Sequence, residues 1–218
     1  MFLTIVPFLL ISACSSPTAR DRYARGGAKD ILQVQRETIA KFNNDGFYKH
    51  SIKDYRGAIA DYSKAIELDP NYSTAYCNRG VAKAQLEDHR GAIVDYNKAI
   101  ELEPDFSSAY YNRGNSKHSL KDYRGAIADF SKVIELAPNN SMAYLNRGVN
   151  KERIKDTRGA MADYNKAIVL DPNDPTAYYN RGVFKIKLGQ QDSGCLDLSK
   201  AGELGLLVAY EAIKKNCN

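Results

Sequence analysis

The side chains that most often carry chemistry in proteins are scarce in this 218-residue sequence. Its four cysteines stand at positions 14, 77, 195 and 217, and its three histidines at positions 50, 89 and 118. No two cysteines have the close spacing of a zinc site, and no glycine-rich phosphate-binding loop occurs. The sequence therefore predicts no catalytic residue, no cofactor and no metal site.

Hydrogen-bonding side chains recur instead. The tripeptide Asn-Arg-Gly begins at Asn78, Asn112, Asn146 and Asn180, at intervals of 34 residues. An asparagine amide donates and accepts hydrogen bonds, so a row of amides can bind an extended peptide backbone. Each such bond contributes only about 0.5–1.5 kcal/mol, so several must act in series. The chemistry to expect is recognition of a polypeptide.

The elements that position these asparagines repeat at the same interval. A proline, which cannot continue a helix, returns every 34 residues: Pro70, Pro104, Pro138 and Pro172. Ahead of the first proline, apolar residues at three- and four-residue spacings mark one helical face: Ala58, Ile59, Tyr62, Ala65 and Ile66. A serine after the proline is expected to cap the next helix: Ser73, Ser107 and Ser141. A period of 34 predicts a stack of helix–turn–helix units.

The repeats resemble the tetratricopeptide repeat (TPR) family over residues 39–208. The units are 39–72, 73–106, 107–140, 141–174 and 175–208. The eighth residue of each is a glycine: Gly46, Gly80, Gly114, Gly148 and Gly182. The twenty-fourth residue of the first four is aromatic: Tyr62, Tyr96, Phe130 and Tyr164. The resemblance implies an all-α, right-handed α-α superhelical solenoid of about five TPR units plus a C-terminal capping helix.

The two ends of the repeat array depart from this pattern. Residues 31–72 are expected to form an N-terminal helix and a degenerate first repeat, because Asp45 replaces the arginine of the later units. Residues 206–218 follow a turn at Gly205 and are expected to form the capping helix, since a solenoid must cover its open end. In units two to five, the arginine after each asparagine is predicted to pair with a recurring aspartate, as Arg113 with Asp129.

The resemblance also places a binding groove on the first helix of each unit. Its predicted peptide-binding residues are Asn78, Tyr111, Asn112, Asn115, Leu145, Asn146, Tyr179 and Asn180. A second interpretation is that each asparagine satisfies a backbone group inside its own repeat, and both can hold together. The lysine and arginine residues with which some family members bind a C-terminal carboxylate are missing here. A chaperone-tail ligand is therefore not expected.

The first 13 residues are predicted to be a signal peptide, because an uncharged apolar run extends from Phe2 to Ile11. The tetrapeptide Ile11-Ser12-Ala13-Cys14 resembles the bacterial lipobox and makes Cys14 the predicted lipidation site. Residues 14–30 are polar and small, so a tether is expected there. No lysine or arginine precedes the apolar run, and the alternative is a cytoplasmic chain with an apolar terminus.

Two cysteines near the C-terminus are candidates for a disulfide. An antiparallel helical hairpin centred on Gly205 would bring Cys195 level with about residue 215, within reach of Cys217. Such a bridge would stabilise the fold by roughly 3 kcal/mol and would suit an exported protein. The alternative is a pair of reduced cysteines.

These features together predict a non-catalytic protein–protein interaction scaffold. The net charge of +5 is spread over interleaved acidic and basic residues, and acidic residues recur in every unit, so no nucleic-acid partner is predicted. The expected partner is a protein or extended peptide, and the expected location is the cell envelope, with a lipid anchor in the membrane. The alternative is an intracellular TPR adaptor or regulator without export.

Overall fold

The computed structural model describes residues 17–217, and every regular element in that range is an α-helix. The eleven helices in this range are α1 (Pro17–Ser51), α2 (Tyr55–Leu68), α3 (Ser73–Gln85), α4 (His89–Leu102), α5 (Ser107–Ser119), α6 (Tyr123–Leu136), α7 (Ser141–Arg153), α8 (Thr157–Leu170), α9 (Pro175–Lys187), α10 (Gln191–Glu203) and α11 (Val208–Asn216). They pack in consecutive pairs, and the pairs stack into a right-handed superhelical solenoid.

The turn inside each pair is fixed by local sequence. In the first pair, Lys53 adopts a positive φ of 64° and reverses the chain direction. Asp54 then caps α2 by accepting a hydrogen bond from the backbone N–H of Gly57. A Cβ on Gly57 would lie 2.1 Å from the Asp54 carboxylate, so only glycine permits this close approach.

The serines predicted as N-caps are instead the first residues of their helices. The caps are the preceding residues: Tyr72, Phe106 and Asn140, with Asp174 in the last pair. Asn140 and Asp174 accept hydrogen bonds from backbone N–H groups of α7 and α9. The prediction was wrong by one position. At α7, Asn140 is at least as effective a cap as Ser141, whereas α3 and α5 begin without a side-chain cap, since Tyr72 and Phe106 make no capping hydrogen bond.

An aromatic side chain under a glycine holds each of the first four pairs together. Tyr96 on α4 is 1% exposed, and its ring fills the space beside Gly80 on α3. A Cβ at Gly80 would lie 2.6 Å from this ring. Between pairs, small residues bring the helices together, as Ala75 does against Ala65 and Ile66. Buried side chains therefore join each pair to the next along the stack, as a solenoid requires.

The N-terminal part of the chain differs from its predicted organisation. Helix α1 begins at Pro17, so the segment interpreted as a tether over residues 14–30 is helical from that residue onward. Proline is favoured at the first position of a helix, and the alanine, arginine and lysine residues after it are good helix formers. The predicted signal peptide and Cys14 lie outside the described residues. No helix within residues 17–217 has the combined length and apolar character to cross a membrane.

At the opposite end, Gly205 has a φ of +96° and reverses the chain into α11. Ala209 of α11 is fully buried, and Tyr210 lies against the position that a Cβ of Gly202 on α10 would occupy. A disulfide joins Cys195 on α10 to Cys217 just after α11, with Cα atoms 5.8 Å apart. The last pair is thus covered by a helix that is covalently attached to it.

Candidate functional site

The recurring asparagines lie on the first helices of the pairs and contact the first helix before them. Asn78 Nδ2 donates to Asn43 Oδ1 at 3.2 Å, and Asn146 Nδ2 donates to Tyr111 Oη at 2.9 Å. In both contacts the acceptor is the fifth residue of the preceding unit. The asparagines therefore link neighbouring units, an arrangement that neither interpretation of the sequence included.

Asn112 follows the same rule with a sulfur partner. The fifth residue of the preceding unit is Cys77, a buried free thiol. Burial raises the pKa of this thiol to about 11, against the opposing effect of a hydrogen bond with Asn112. At neutral pH the side chain is a protonated, unreactive part of the core. Cys77 consequently serves packing and the link to Asn112.

Asn180 is the exception to this rule, because its preceding unit offers no hydrogen-bonding partner. The fifth residue of its preceding unit is Leu145, whose side chain has no hydrogen-bonding group. Leu145 is 6% exposed and packs with Ala160 and Tyr164. The half-buried amide of Asn180 is therefore not committed to the link that holds the other asparagines.

Leu145, one of the predicted groove residues, is more deeply buried than the tyrosines at the same position. At the same position of their units, Tyr111 and Tyr179 stay half-buried, whereas Leu145 and Cys77 are buried. The reason is side-chain length. A tyrosine ring extends past the helix junction, as Tyr111 does edge-on to Phe130, while a leucine or cysteine ends within it. Leu145 can supply only the floor of a groove.

Clefts follow the junctions between successive first helices. A cleft of about 280 Å³ between α5 and α7 is lined by Ser107, Ser108, Tyr111, Asn112, Asn140 and Met142. A cleft of about 450 Å³ between α7 and the start of α9 is lined by residues that include Met142, Leu145, Asn146 and Thr176. Asn115 lines two smaller clefts, one beside Asn112 and one beside Asn146. The structure thus brings together the predicted residues of α5 and α7.

Tyr179 lies elsewhere, in a cleft of about 380 Å³ between α9 and α11. Its apolar lining comes from Val183, Ile186, Val208 and Ala212. Asn78, at the other end of the array, is engaged with α1. The predicted site is therefore a central segment from Tyr111 to Asn146, with Asn180 and Tyr179 towards the C-terminal end.

The charged residues under the groove are held by one another. Arg113 donates to Asp129 through Nε at 3.0 Å and Nη2 at 2.6 Å, and Lys117 lies 2.8 Å from the same carboxylate. Arg113 Nη1 also donates to Asn97 of the preceding pair. The same arrangement occurs at Arg79, Arg147 and Arg181. The predicted arginine–aspartate pairs are confirmed, and their arginines also bind the preceding unit.

In the ion pair of Asp197 with Arg181 and Lys185, burial and charge have opposite effects on the carboxyl pKa. Burial alone would raise the pKa of Asp197, but hydrogen bonds and charge from Arg181 and Lys185 outweigh it and lower that pKa. Asp197 is thus a carboxylate at neutral pH, and both cations are committed to it.

Polar residues that the sequence did not single out complete the site. Asn150 is 2% exposed, donates to the backbone oxygen of Asn146 at 2.7 Å and accepts from Nδ1 of His118 at 2.9 Å. The only available signal was an asparagine at a position where the other units carry Tyr48, Ala82, Ser116 and Phe184. Within the described residues, no group of histidine, cysteine, aspartate or glutamate side chains could hold a metal ion.

Comparison with known proteins agrees with this architecture. A family model described as "TPR repeat" matches residues 49–87 and 156–189, and one described as "Tetratricopeptide repeat" matches residues 73–106 and 107–140. Together the matched residues make up more than half of the chain. No curated protein sequence matches it.

Solved structures show the same fold. MamA from Desulfovibrio magneticus RS-1 is 20% identical, with a TM-score of 0.72 over 77% of this chain and 94% of that one. YrrB, described as a TPR protein with an unusual peptide-binding site, is 22% identical, with a TM-score of 0.69 over 85% and 97%. Pseudomonas aeruginosa pilF is 18% identical, with a TM-score of 0.71 over 78% of each chain.

Proposed function

The chain belongs to the tetratricopeptide repeat family and is a protein-interaction scaffold, and we propose that the groove on its first helices binds an extended peptide segment of a partner protein. The observation that carries the proposal is the run of clefts lined by amides and hydroxyls from Tyr111 to Asn146, followed by the uncommitted amide of Asn180.

The spacing of the groove fits an extended ligand. First helices that pack about 10 Å apart place one asparagine for every three residues of a strand that rises about 3.3 Å per residue. The amides can bind the peptide backbone, while Tyr111 and Met142 offer apolar contact to its side chains. Met142 is 58% exposed and its flexible thioether adapts to different shapes. Such a groove would favour backbone recognition over a strict sequence.

Charge favours an internal segment over a C-terminal tail. The first-helix lysines that face the carboxylates are already paired: Lys83, Lys117, Lys151 and Lys185. The second residues of the units, which line the groove, are uncharged: Thr74, Ser108, Met142 and Thr176. No cation of these two sets is left to bind a terminal carboxylate. Asp171 and Asp174 line the cleft between α7 and α9 and would repel a terminal carboxylate. The other groups of the two clefts are amides, hydroxyls and apolar side chains, which suit binding of a peptide backbone.

A displayed library of random 12-residue peptides tests the groove. Peptides selected on the full chain should bind Asn180→Ala two- to tenfold more weakly, the range expected from one hydrogen bond. Helicity and unfolding midpoint should not change, because Asn180 does not link the units. The matched control is Ser199→Ala on the exposed face of α10. Equal affinity for all three proteins would contradict the proposal.

We further propose that the chain acts at the cell envelope, anchored through a lipid on Cys14. The apolar run from Phe2 to Ile11 and the lipobox-like Ile11-Ser12-Ala13-Cys14 support this location. The Cys195–Cys217 disulfide also supports it, since disulfides persist in oxidising compartments. Its partners would then be envelope proteins or their extended segments.

Metabolic labelling with a radioactive fatty acid tests the anchor. The native chain should carry the label and sediment with membranes, and Cys14→Ala should lose the label and leave the membrane fraction. A Cys77→Ala variant is the matched control and should keep both properties. An unlabelled native chain with reduced Cys195 and Cys217 would favour an intracellular adaptor instead.

A further inference from the structure

One face of α1 carries a stripe of uncovered side chains. The stripe comprises Ile31, Val34, Thr38, Lys41, Asp45, Tyr48 and Ile52, at alternating spacings of three and four residues. Thr38 is half-buried and the others are exposed. The opposite face of α1 packs through Ile39 and Phe42 against α2. We call the stripe the N-terminal edge.

In every later pair, the matching face is covered by the pair before it. The tenth residue of each later unit is at most 5% exposed: Ala82, Ser116, Asn150 and Phe184. The tenth residue of the first unit is Tyr48, and it is 64% exposed. The third residue of each later unit is a fully buried alanine, whereas the first unit has Lys41. The N-terminal edge therefore has room for one more helix.

The residue types on this edge do not suit another unit of the same kind. Arginines at the seventh position bind the preceding helix in later units, as Arg113 binds Asn97, but the first unit has Asp45. Lys41 is also too long for the close approach that alanine allows. A lysine and an aspartate lie four residues apart at the centre of the edge, with apolar residues further out on both sides. When two copies of the edge are placed antiparallel, each lysine therefore faces an aspartate and apolar residues face one another.

We propose that the N-terminal edge pairs with the same edge of a second copy of this chain. An antiparallel two-fold arrangement of the two α1 helices sets Lys41 opposite Asp45 twice at the centre. The same register sets Thr38 opposite Tyr48 and Val34 opposite Ile52 on each side. The contact extends for roughly 30 Å along the helix at 1.5 Å per residue. Both charge and apolar positions match in this register.

The opposite end of the solenoid explains why the assembly stops at two copies. The last pair is covered by α11, which the Cys195–Cys217 disulfide attaches to α10. A head-to-tail stack would need this end free. A contact of one edge with its own copy is isologous and closes as a dimer. The proposal does not depend on peptide binding in the groove.

Charge reversal tests the pairing by sedimentation velocity on the full-length chain in density-matched detergent. The native chain should dimerise. Lys41→Asp and Asp45→Lys alone should each weaken self-association at least tenfold, since each places like charges opposite one another. The double variant restores complementarity and should return to within threefold of the native value. Arg56→Asp, on the exposed start of α2, is the control and should dimerise normally.

Mixing gives a second, independent result. The Lys41→Asp chain carries two acidic groups on the edge and the Asp45→Lys chain two basic groups, so an equimolar mixture should form heterodimers. A native chain that stays monomeric at about 100 µM would overturn the proposal. Its own N-terminal residues or another partner would then cover the edge. A dimer that neither reversal weakens would overturn it equally.

Discussion

The first and last helix pairs share one hairpin design but differ in how they are held. In the first pair, Asp61 is bound by Lys49 at 2.6 Å, with Lys64 of α2 at 3.9 Å, and Asp45 stands where later pairs have the arginine. In the last pair, Asp197 is bound by both Arg181 and Lys185. The hairpin forms without the arginine. In the later pairs the arginine binds the aspartate of its own hairpin and also the pair before it, as Arg181 binds Asp197 and Asn165.

The turns inside the first and last pairs also differ. The first pair has Lys53 at the position of positive φ and a capping aspartate after it, whereas the last pair has Gly189 there and no side-chain cap at Gln190. Each turn thus keeps one favourable feature and lacks the other. A turn can therefore form with either a glycine or a capping aspartate. The contacts between pairs, by contrast, form only where a neighbouring pair is present.

The largest difference should come from the seventh residues. Arg181→Ala leaves the buried Asp197 carboxylate with one cation and removes the bond to Asn165, so we expect a loss of about 3–5 kcal/mol. Asp45→Ala, whose side chain is exposed in the single chain, should change stability by less than about 0.5 kcal/mol at protein concentrations where the chain is monomeric. Urea unfolding followed by circular dichroism measures both. Equal effects would contradict a stabilising role for the arginine at the seventh position.

Loss of the disulfide should affect only the last pair. Cys195→Ser with Cys217→Ser should cost about 3 kcal/mol, the effect of a bridge that closes a loop of this size. Hydrogen exchange detected by mass spectrometry should accelerate in α10 and α11 and stay unchanged in α1 and α2. Cys77→Ser is the control for cysteine removal, and faster exchange throughout the chain would contradict a local effect.

Glycine-to-alanine changes compare the interiors of the two hairpins. A Cβ at Gly46 would lie 2.7 Å from the buried Tyr62 ring, and one at Gly182 would lie 2.9 Å from the backbone oxygen of Gly194. We expect Gly46→Ala to cost about 1–2 kcal/mol through overpacking. Gly182→Ala should cost more, because backbone atoms must move. Thermal unfolding of both variants checks the order, and a stabilised variant would contradict the packing.

The smallest effects should come from the turns, with opposite signs. Lys53→Gly removes a left-handed strain and should stabilise the chain by up to about 1 kcal/mol, while Gly189→Lys should destabilise it by about 1 kcal/mol. Their unfolding midpoints should therefore move in opposite directions. Shifts of the same sign would show that the two turns are not equivalent.

Much of the fold could be predicted because residues within each unit determine where its helices begin and end. The 34-residue period predicted the pairs, and the pairing of Arg113 with Asp129 could be inferred from their shared interval. The misplaced serine caps show the limit of such signals, since Asn140 takes the cap in place of Ser141, and α3 and α5 begin without any side-chain cap. The composition of residues 14–30 gave the wrong state from Pro17 onward, because polar, small residues also occur in helices.

The groove was less predictable. The sequence placed the asparagines on one helical face, but their partners come from a unit about 35 residues earlier. Whether an amide is free therefore depends on a second residue that local spacing does not reveal. The burial of Leu145 also depends on residues of other helices, since its short side chain is covered by Tyr164 and Ala177.

The sequence by itself determined the helices, their turns and their number of repeats, because capping, proline and apolar spacing act within a few residues. Only the tertiary structure decided which polar groups remain available and which helix face is left uncovered. Those properties arise when one unit is placed against the next. Asn180 lacks a partner because Leu145 of the preceding unit has no hydrogen-bonding group, and Tyr48 is exposed because no described helix packs on its face.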